Sequence, residues 1–312
     1  MSVGANIRRR RYELGLSQQE LADAMGYKTR STIAKIESEE NDVTEKKLRR
    51  FAQVLDTTVE ALIRGYDLPE TIGADSREGE RRTVAVILAG GKSGRNQQNI
   101  PNQFINILGK PVIVYCMEAY EKHPAVDDIY VVCLRGWESI VRAYAREYGI
   151  TKLRGLIPGA SSGILSVKNG LQHVREHYDR EDIIVFQEAT RPMVSVEMIS
   201  KLLQACHDSG SANICQSMRN YVQFTYVDGK ASYVDRDTVV DLQSPEAYRF
   251  RVIESVFEKA KRKGHPLNVS CCVMLMYELG YPINFIEGSV NNIKIVRQED
   301  VAIFTSLMNQ GI

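Results

Sequence analysis

The sequence has no apolar run approaching bilayer-spanning length, which excludes a helical membrane protein. It also lacks the apolar stretch of a secretory leader: Arg8, Arg9, Arg10 and Arg11 stand where that stretch would begin. Net charge is nearly absent, at +1, so the whole chain carries no polyanion-binding signature and charge must be judged locally. The six cysteines (Cys116, Cys133, Cys206, Cys215, Cys271, Cys272) never adopt C-x-x-C spacing, and the five histidines do not gather near them, which argues against zinc. Adjacent Cys271 and Cys272 cannot easily pair with each other. Reduced core thiols of a cytoplasmic protein are therefore expected. There is no internal repeat and no low-complexity tract.

What is present suffices for two cores: the chain has 312 residues, 44% hydrophobic and 25% charged, as in ordinary globular proteins. Residues 1–66 have the pattern of packed short helices without strands. Asp67 to Arg82 (DLPETIGADSREGERR) is polar and charged, holds Pro69, Gly73 and Gly79, and cannot bury enough surface to fold alone, so 67–82 is expected to be a linker. At Thr83 the texture changes. Val84, Ala85, Val86, Ile87 and Leu88 run unbroken into Ala89-Gly90-Gly91, and strand-like segments such as Asp128–Leu134 and Ile183–Gln187 then alternate with helical ones to residue 312. That alternation predicts a second, α/β domain over 83–312, with a mostly parallel sheet covered on both faces.

In the first domain, Ser17-Gln18-Gln19-Glu20 has the form of a capping box. It opens a helix with Leu21, Ala22 and Met25 on one face, and Gly26 ends it with a residue tolerant of positive φ. Thr29 is expected to cap the next helix, Arg30 to Glu37, with Ile33 and Ile36 inward. Thr44 and Thr57 are expected to cap two more, with Thr57-Thr58-Val59-Glu60 as another box. Two helices across a tight glycine turn make a helix-turn-helix. The run LSQQELADAMGYKTRSTIAKIE, followed by a helix holding Leu48, Phe51, Ala52 and Leu55, resembles the Cro/repressor-type family over about the first 62 residues. The resemblance implies double-stranded DNA as partner, with the second helix of the motif in the major groove. Lys28, Thr29, Arg30, Ser31, Thr32 and Lys35 would then face DNA, Arg30 would read a guanine edge, and Gln18 would contact phosphate. A helical bundle that binds a protein is the alternative. Arg8–Arg11 fit either phosphate steering or a solvated helix face.

In the second domain, a strand runs into Leu88-Ala89-Gly90-Gly91-Lys92-Ser93-Gly94-Arg95. Glycines after a strand let backbone N–H groups approach a phosphate, and neighbouring cations neutralise it. Leu88, Ala89, Gly90, Gly91 and Lys92 are therefore nucleotide-binding candidates. The ordered segments LAGGKSGR, PNQFINILGKPVIVY, QEATRP, VDR and EGSVNNIKIVRQED resemble the family of methylerythritol-phosphate and ribitol-phosphate cytidylyltransferases across 83–312. The resemblance implies a Rossmann-like nucleotidyltransferase domain that joins CTP to a sugar-alcohol phosphate and releases pyrophosphate. It also implies roles: Arg95 on the CTP phosphates, Lys294 near the α-phosphate, Arg236 on the acceptor phosphate, Ser166 near cytosine, and Glu188 as ligand to Mg²⁺. Several positions depart from the family pattern. The loop glycine is displaced by one at Ser93-Gly94, and a lysine is replaced by Asn102. An arginine is replaced by Gly163, an aspartate by Glu188 and an acid by Asn291. Ser270-Cys271 and Asn220-Tyr221 stand for Thr-Asp and Asp-Thr pairs. Lys92 is a candidate to replace the charge missing at Asn102.

Tyr221–Val227 and Lys230–Val234 around Asp228-Gly229 have the pattern of a β-hairpin. By resemblance this arm reaches a partner subunit, and a homodimer would also present paired helix-turn-helix units to a two-fold DNA site. An ordinary surface hairpin is the alternative. Three functions remain: a CTP-dependent cytidylyltransferase carrying a DNA-binding domain, which the retained phosphate-binding charges favour, a regulator that binds nucleotide or CDP-alcohol without turnover, or a pair of interaction modules.

Overall fold

The computed structural model describes residues 3–14, 16–41, 43–55, 57, 59–64, 81–92, 100–219 and 222–311. The chain divides into two compact units, 1–78 and 79–312. Arg95, Asn220, Tyr221 and all of the expected linker except Arg81 and Arg82 lie outside the described residues. Arg82 is bound to the second unit: its backbone N–H donates to Asp182 Oδ1 at 2.8 Å, and its guanidinium lies 4.6 Å from the Tyr178 ring centre.

The first unit is built from α1 (Val3–Glu13), α2 (Gln18–Met25), α3 (Arg30–Glu37), α4 (Glu45–Val54) and α5 (Val59–Arg64). Ile7, Leu21, Ile33, Phe51, Leu55 and Leu62 are fully buried at its centre, each contributing roughly 1.5–3 kcal/mol by leaving water. The capping box at Ser17 and Glu20 is complete, and Gly26 ends α2 at φ 78°. Thr29 and Thr44 occupy N-cap positions, but neither side chain makes the capping bond. The Thr29 hydroxyl pairs with Ser31 at 2.7 Å, and Gln19 Oε1 accepts from the Arg30 N–H instead. The expected box at Thr57 lies partly outside the described residues.

The second unit follows the chain through β1 (Thr83–Ala89), β2 (Asn106–Ile107), β3 (Lys110–Pro111), α6 (Val112–Lys122), β4 (Asp128–Cys133), α7 (Glu138–Glu147), β5 (Leu153–Pro158), α8 (Gly163–Val174), β6 (Ile183–Glu188) and α9 (Val196–Ser209). It continues with β7 (Ser211–Ser217), β8 (Gln223–Val227), β9 (Lys230–Val234), β10 (Val240–Arg249), α10 (Phe250–Arg262), α11 (Cys272–Glu278), β11 (Phe285–Glu287) and α12 (Gln298–Asn309). A seven-stranded sheet has the order β11-β7-β10-β6-β1-β4-β5, and only β10 runs antiparallel to its neighbours. Alternation along β1 sends Ala85, Ile87 and Ala89 into the layer under α6, α7 and α9, and Val84 and Val86 into the layer under α8, α10 and α11. β8 and β9 form the expected hairpin, with Asp228 and Gly229 both at positive φ (49° and 77°), as a tight two-residue turn requires. No described helix is long and apolar enough to cross a membrane.

Because β1 connects to β4 through α6 on one face of the sheet, while β5 connects to β6, on the other side of β1, through α8 on the opposite face, a crevice opens at the carboxyl end of β1. The candidate site occupies that crevice.

Candidate functional site

The glycine turn after β1 is held from both sides. Gly90 packs backbone to backbone against Gly159, which follows β5, and a Cβ on Gly159 would lie 3.0 Å from Gly90 Cα. Gly91 faces open space, with nothing within 4 Å of the position its Cβ would take. Gln103 Nε2 donates to Ala89 O and Gly91 O, each at 2.8 Å, so both carbonyls are engaged within the protein. Ser166, on α8, accepts from the Ala160 N–H at 3.0 Å, and its oxygen approaches Gly90.

Across the crevice, β6 ends at Glu188. Lys294 Nζ reaches its Oε1 at 2.5 Å and Arg191 Nε its Oε2 at 3.0 Å. Burial pushes the Glu188 carboxyl up, but Lys294 and then Arg191 outweigh it and hold the group below the ordinary carboxylate range. A register shift in β10 between Leu242 and Glu246 turns Ser244 toward β6, where its hydroxyl accepts from the Glu188 N–H at 3.1 Å. Arg191 also donates to Asn292 O at 2.8 Å. Asn102 Nδ2 donates to Val296 O at 3.0 Å and Ile295 O at 3.4 Å, tying down the segment that carries Lys294. Glu246, beside this network, is buried, which lifts its carboxyl to about 7.

These segments enclose a cleft of about 1260 Å³. Leu88, Gly90, Gly91, Lys92, Ser166, Glu188 and Lys294, all singled out from sequence, line it together. Ala89 does not: it is the last residue of the strand, its side chain belongs to the core under α6, and its carbonyl is taken by Gln103. Arg236 lies exposed in the turn after β9 and is not brought to this cleft by its own chain. Asn102 lines the cleft, yet its amide is engaged with backbone, so the position acts as a clamp as well as a missing charge. Cys271 also lines it, and Gly163 abuts Ser270, whose carbonyl would lie 3.0 Å from an added Cβ.

Sequence reasoning missed Gln103, Ser244, Glu246 and Arg135. Arg135 had a usable signal, since it follows an apolar parallel strand much as Lys92 follows β1. For Mg²⁺, no group of three or more His, Cys, Asp or Glu side chains is assembled among the described residues. Glu188 alone fits the ion's habit of taking one or two carboxylates plus substrate phosphates. Each of its oxygens has one cationic partner and keeps a second lone-pair direction.

In the first unit, Lys28, Thr29, Arg30, Ser31 and Lys35 are exposed along the start and outer face of α3, and Thr32 is half-buried. Gln18 is turned inward, donating to Glu37 Oε2 at 2.9 Å. Arg11 is also neither a steering charge nor a solvated one: it is buried and paired with Glu37 at 2.6 Å. Arg10 Nε donates to Leu55 O at 3.0 Å, and Arg8 is exposed.

The sequence model of the 2-C-methyl-D-erythritol 4-phosphate cytidylyltransferase family matches residues 83–310, and a helix-turn-helix model matches residues 7–62. The ribitol-5-phosphate cytidylyltransferase of Lacticaseibacillus paracasei is 29% identical, covering 73% of this chain and 98% of its own length. That of Vibrio parahaemolyticus is 30% identical, covering 72% of this chain and 95% of its own. The 4-diphosphocytidyl-2C-methyl-D-erythritol synthase of Anaerococcus prevotii shares the fold, with a TM-score of 0.63, 20% identity, and coverage of 73% of this chain and 96% of its own.

Proposed function

The chain belongs to the 2-C-methyl-D-erythritol 4-phosphate cytidylyltransferase family through residues 83–310, and from that premise we propose that its second unit transfers CMP from CTP to a polyol phosphate. A phosphate oxygen of the acceptor forms a bond to the α-phosphorus of CTP. The bond from that phosphorus to the β-phosphate bridging oxygen breaks, and pyrophosphate leaves with the electron pair. One observation carries this reading: the open glycine turn, Ser166 and the Glu188–Lys294 pair converge on one cleft from distant segments. Gly90 and Gly91 offer backbone to the phosphates, Ser166 lies toward the base, and Lys294 meets the charge that develops at the α-phosphate. Arg95 and Arg236 would add charge at the triphosphate and the acceptor phosphate by resemblance, the latter across a homodimer. Bound Mg²⁺, held by Glu188, would neutralise phosphate charge. Ribitol 5-phosphate is the favoured acceptor, because the Lacticaseibacillus paracasei and Vibrio parahaemolyticus relatives are ribitol-5-phosphate enzymes. The six free cysteines support a cytoplasmic setting.

The first unit is proposed to bind double-stranded DNA through α3, supported by the exposed run Lys28–Ser31 and Lys35 and by the helix-turn-helix match. A regulator that binds nucleotide without turnover is the second reading. It is favoured by Asn102, whose amide is engaged with backbone and supplies no charge to the cleft. The test is pyrophosphate release from CTP, Mg²⁺ and a panel including ribitol 5-phosphate and 2-C-methyl-D-erythritol 4-phosphate. Release with one acceptor supports the transferase. Calorimetric CTP uptake without release across the panel supports the regulator, and no uptake defeats both.

A further inference from the structure

A nucleoside triphosphate is a polyanion, so the cations lining the cleft must be counted by what each is free to do. Arg191 and Lys294 share a single carboxylate, Glu188. Arg191 is also turned inward, donating to Asn292 O and Leu242 O. Lys92 and Arg135 line the same cleft, are exposed, and have no ion-pair partner among the described residues.

Arg135 is the better organised of these exposed cations. It sits in the short turn between β4 and α7, closed by the Trp137 N–H donating to Leu134 O at 3.1 Å. Gly136 adopts φ 88°, and its N–H donates to Glu138 Oε2 at 2.7 Å. The Trp137 ring lies flat on Phe104, with centroids 4.2 Å apart and planes 2° apart. Phe104 directly follows Gln103, the residue that clamps the glycine turn. The turn bearing Arg135 and the turn bearing Gly90 and Gly91 are therefore held by one rigid unit. The backbone that carries this guanidinium is thereby fixed, and the planar fork of the side chain suits a two-point grip on phosphate oxygens.

The position along the cleft follows from the layers. Ser166 lies on α8, in the layer beneath one face of the sheet, whereas Phe104, next to Trp137, belongs to the opposite layer. A nucleotide whose base lies toward Ser166 in one layer, and whose phosphates pass over the glycine turn to the layer of Phe104 and Trp137, carries its outer phosphates toward Arg135. We propose that Arg135 binds the β- and γ-phosphates of CTP. The inference rests on the nucleotidyltransfer reading above and adds a specific phosphate-binding residue to it.

The test compares CTP and CMP binding by calorimetry, with Mg²⁺ and no acceptor, for the full-length wild type, Arg135→Ala and Arg135→Lys. Loss of a charged phosphate contact should weaken CTP by about 10- to 100-fold in Arg135→Ala, leave CMP within about twofold, and be partly rescued in Arg135→Lys. The side chain is exposed and takes no part in the Trp137–Phe104 stack, so Arg135→Ala should keep the wild-type Tm, which thermal unfolding checks. Unchanged CTP affinity in Arg135→Ala overturns the assignment, and so does an equal loss for CTP and CMP. Absence of CTP uptake by the wild type is a separate outcome: it overturns the nucleotidyltransfer reading itself and this inference with it.

Discussion

Replacing Lys294 with methionine keeps the length of the side chain and removes its charge, which separates a catalytic role from a structural one. The Lys294–Glu188 pair is 2.5 Å long, but its side chains are 42% and 34% exposed, so solvent screens it. A pair of this kind contributes at most about 1 kcal/mol to stability. In a unit of this size that corresponds to a Tm change of about 2–4 °C. The same charge facing a transferring phosphate should matter far more: losing one preorganised stabiliser typically costs about 100- to 1000-fold in kcat, or about 3–4 kcal/mol. Lys294→Met should therefore lose roughly that factor in pyrophosphate release while its Tm moves little. Glu188 adds a pH signature. Its carboxyl is held below the ordinary range in the fold, so the pairing stabilises above that range, and the benefit is lost as pH falls through the lowered value. With Lys294 gone, burial is opposed by Arg191 alone, and the Glu188 carboxyl should titrate higher. Stability profiles of wild type and variant should converge in acid and separate above it. An unchanged kcat would refute the reasoning. So would a Tm loss well beyond about 4 °C in step with kcat, because the pair would then be a structural tie.

Glu246 tests the opposite sign. Burial raises its carboxyl to about 7 against an ordinary 4.5, so the folded state holds a proton that the unfolded state releases across that window. Stability should fall as pH rises through it, and Glu246→Gln should be more stable than wild type above pH 7, by about 3 kcal/mol at most, while matching it in acid. The reasoning fails if denaturation curves at pH 8 coincide. Gly159→Ala places a Cβ 3.0 Å from Gly90 Cα and 3.1 Å from Cys133 O, and should cost about 1–3 kcal/mol together with CTP affinity. Gly91→Ala meets nothing within 4 Å in the protein, so it should leave Tm unchanged and weaken CTP alone, as calorimetry would report. In the first unit, Arg30→Ala should cost about 1–3 kcal/mol at one base position, whereas Lys28→Ala should weaken all DNA alike and reduce the salt slope by about 1. Equal losses for Arg30→Ala on random and selected DNA would remove it from base reading.

Most of what local chemistry decides was legible in the sequence. The Ser17–Glu20 box, the Gly26 stop, the Asp228-Gly229 turn and the apolar run after Thr83 each involve neighbours within a few residues, and each appears as expected. The misses involve partners distant in sequence. Arg8 to Arg11 are identical letters, but only the fold brings Glu37 to Arg11 and the Leu55 carbonyl to Arg10. Gln18, expected on phosphate, turns inward to Glu37, while its neighbour Gln19 supplies the cap that Thr29 does not. Ala89 adjoins the glycine turn in sequence and faces the core in space, because alternation along a strand outranks proximity in the chain. Arg236 follows an arm that extends from the sheet, so one chain does not bring it to its own cleft.

The departures from the family pattern acquire a different meaning once their surroundings are considered. Judged as isolated letters, Asn102 and Gly163 subtract positive charge from a site proposed to hold a polyanion. In the fold, the Asn102 amide holds the carbonyls of Ile295 and Val296, which adjoin Lys294, so the residue positions a charge that it does not itself carry. A Cβ at Gly163 would lie 3.0 Å from the Ser270 carbonyl, so an arginine there would require the segment bearing Ser270 and Cys271 to give by a few tenths of an ångström. These positions are therefore coupled to their neighbours, and restoring one family residue at a time tests a combination the fold does not contain. Arg135 lines the same cleft, its turn braced through Trp137 against the residue next to Gln103. A site with its cations redistributed should retain triphosphate affinity when position 102 is left alone and lose it when Arg135 is removed, whereas a site merely stripped of charge would show little affinity to lose.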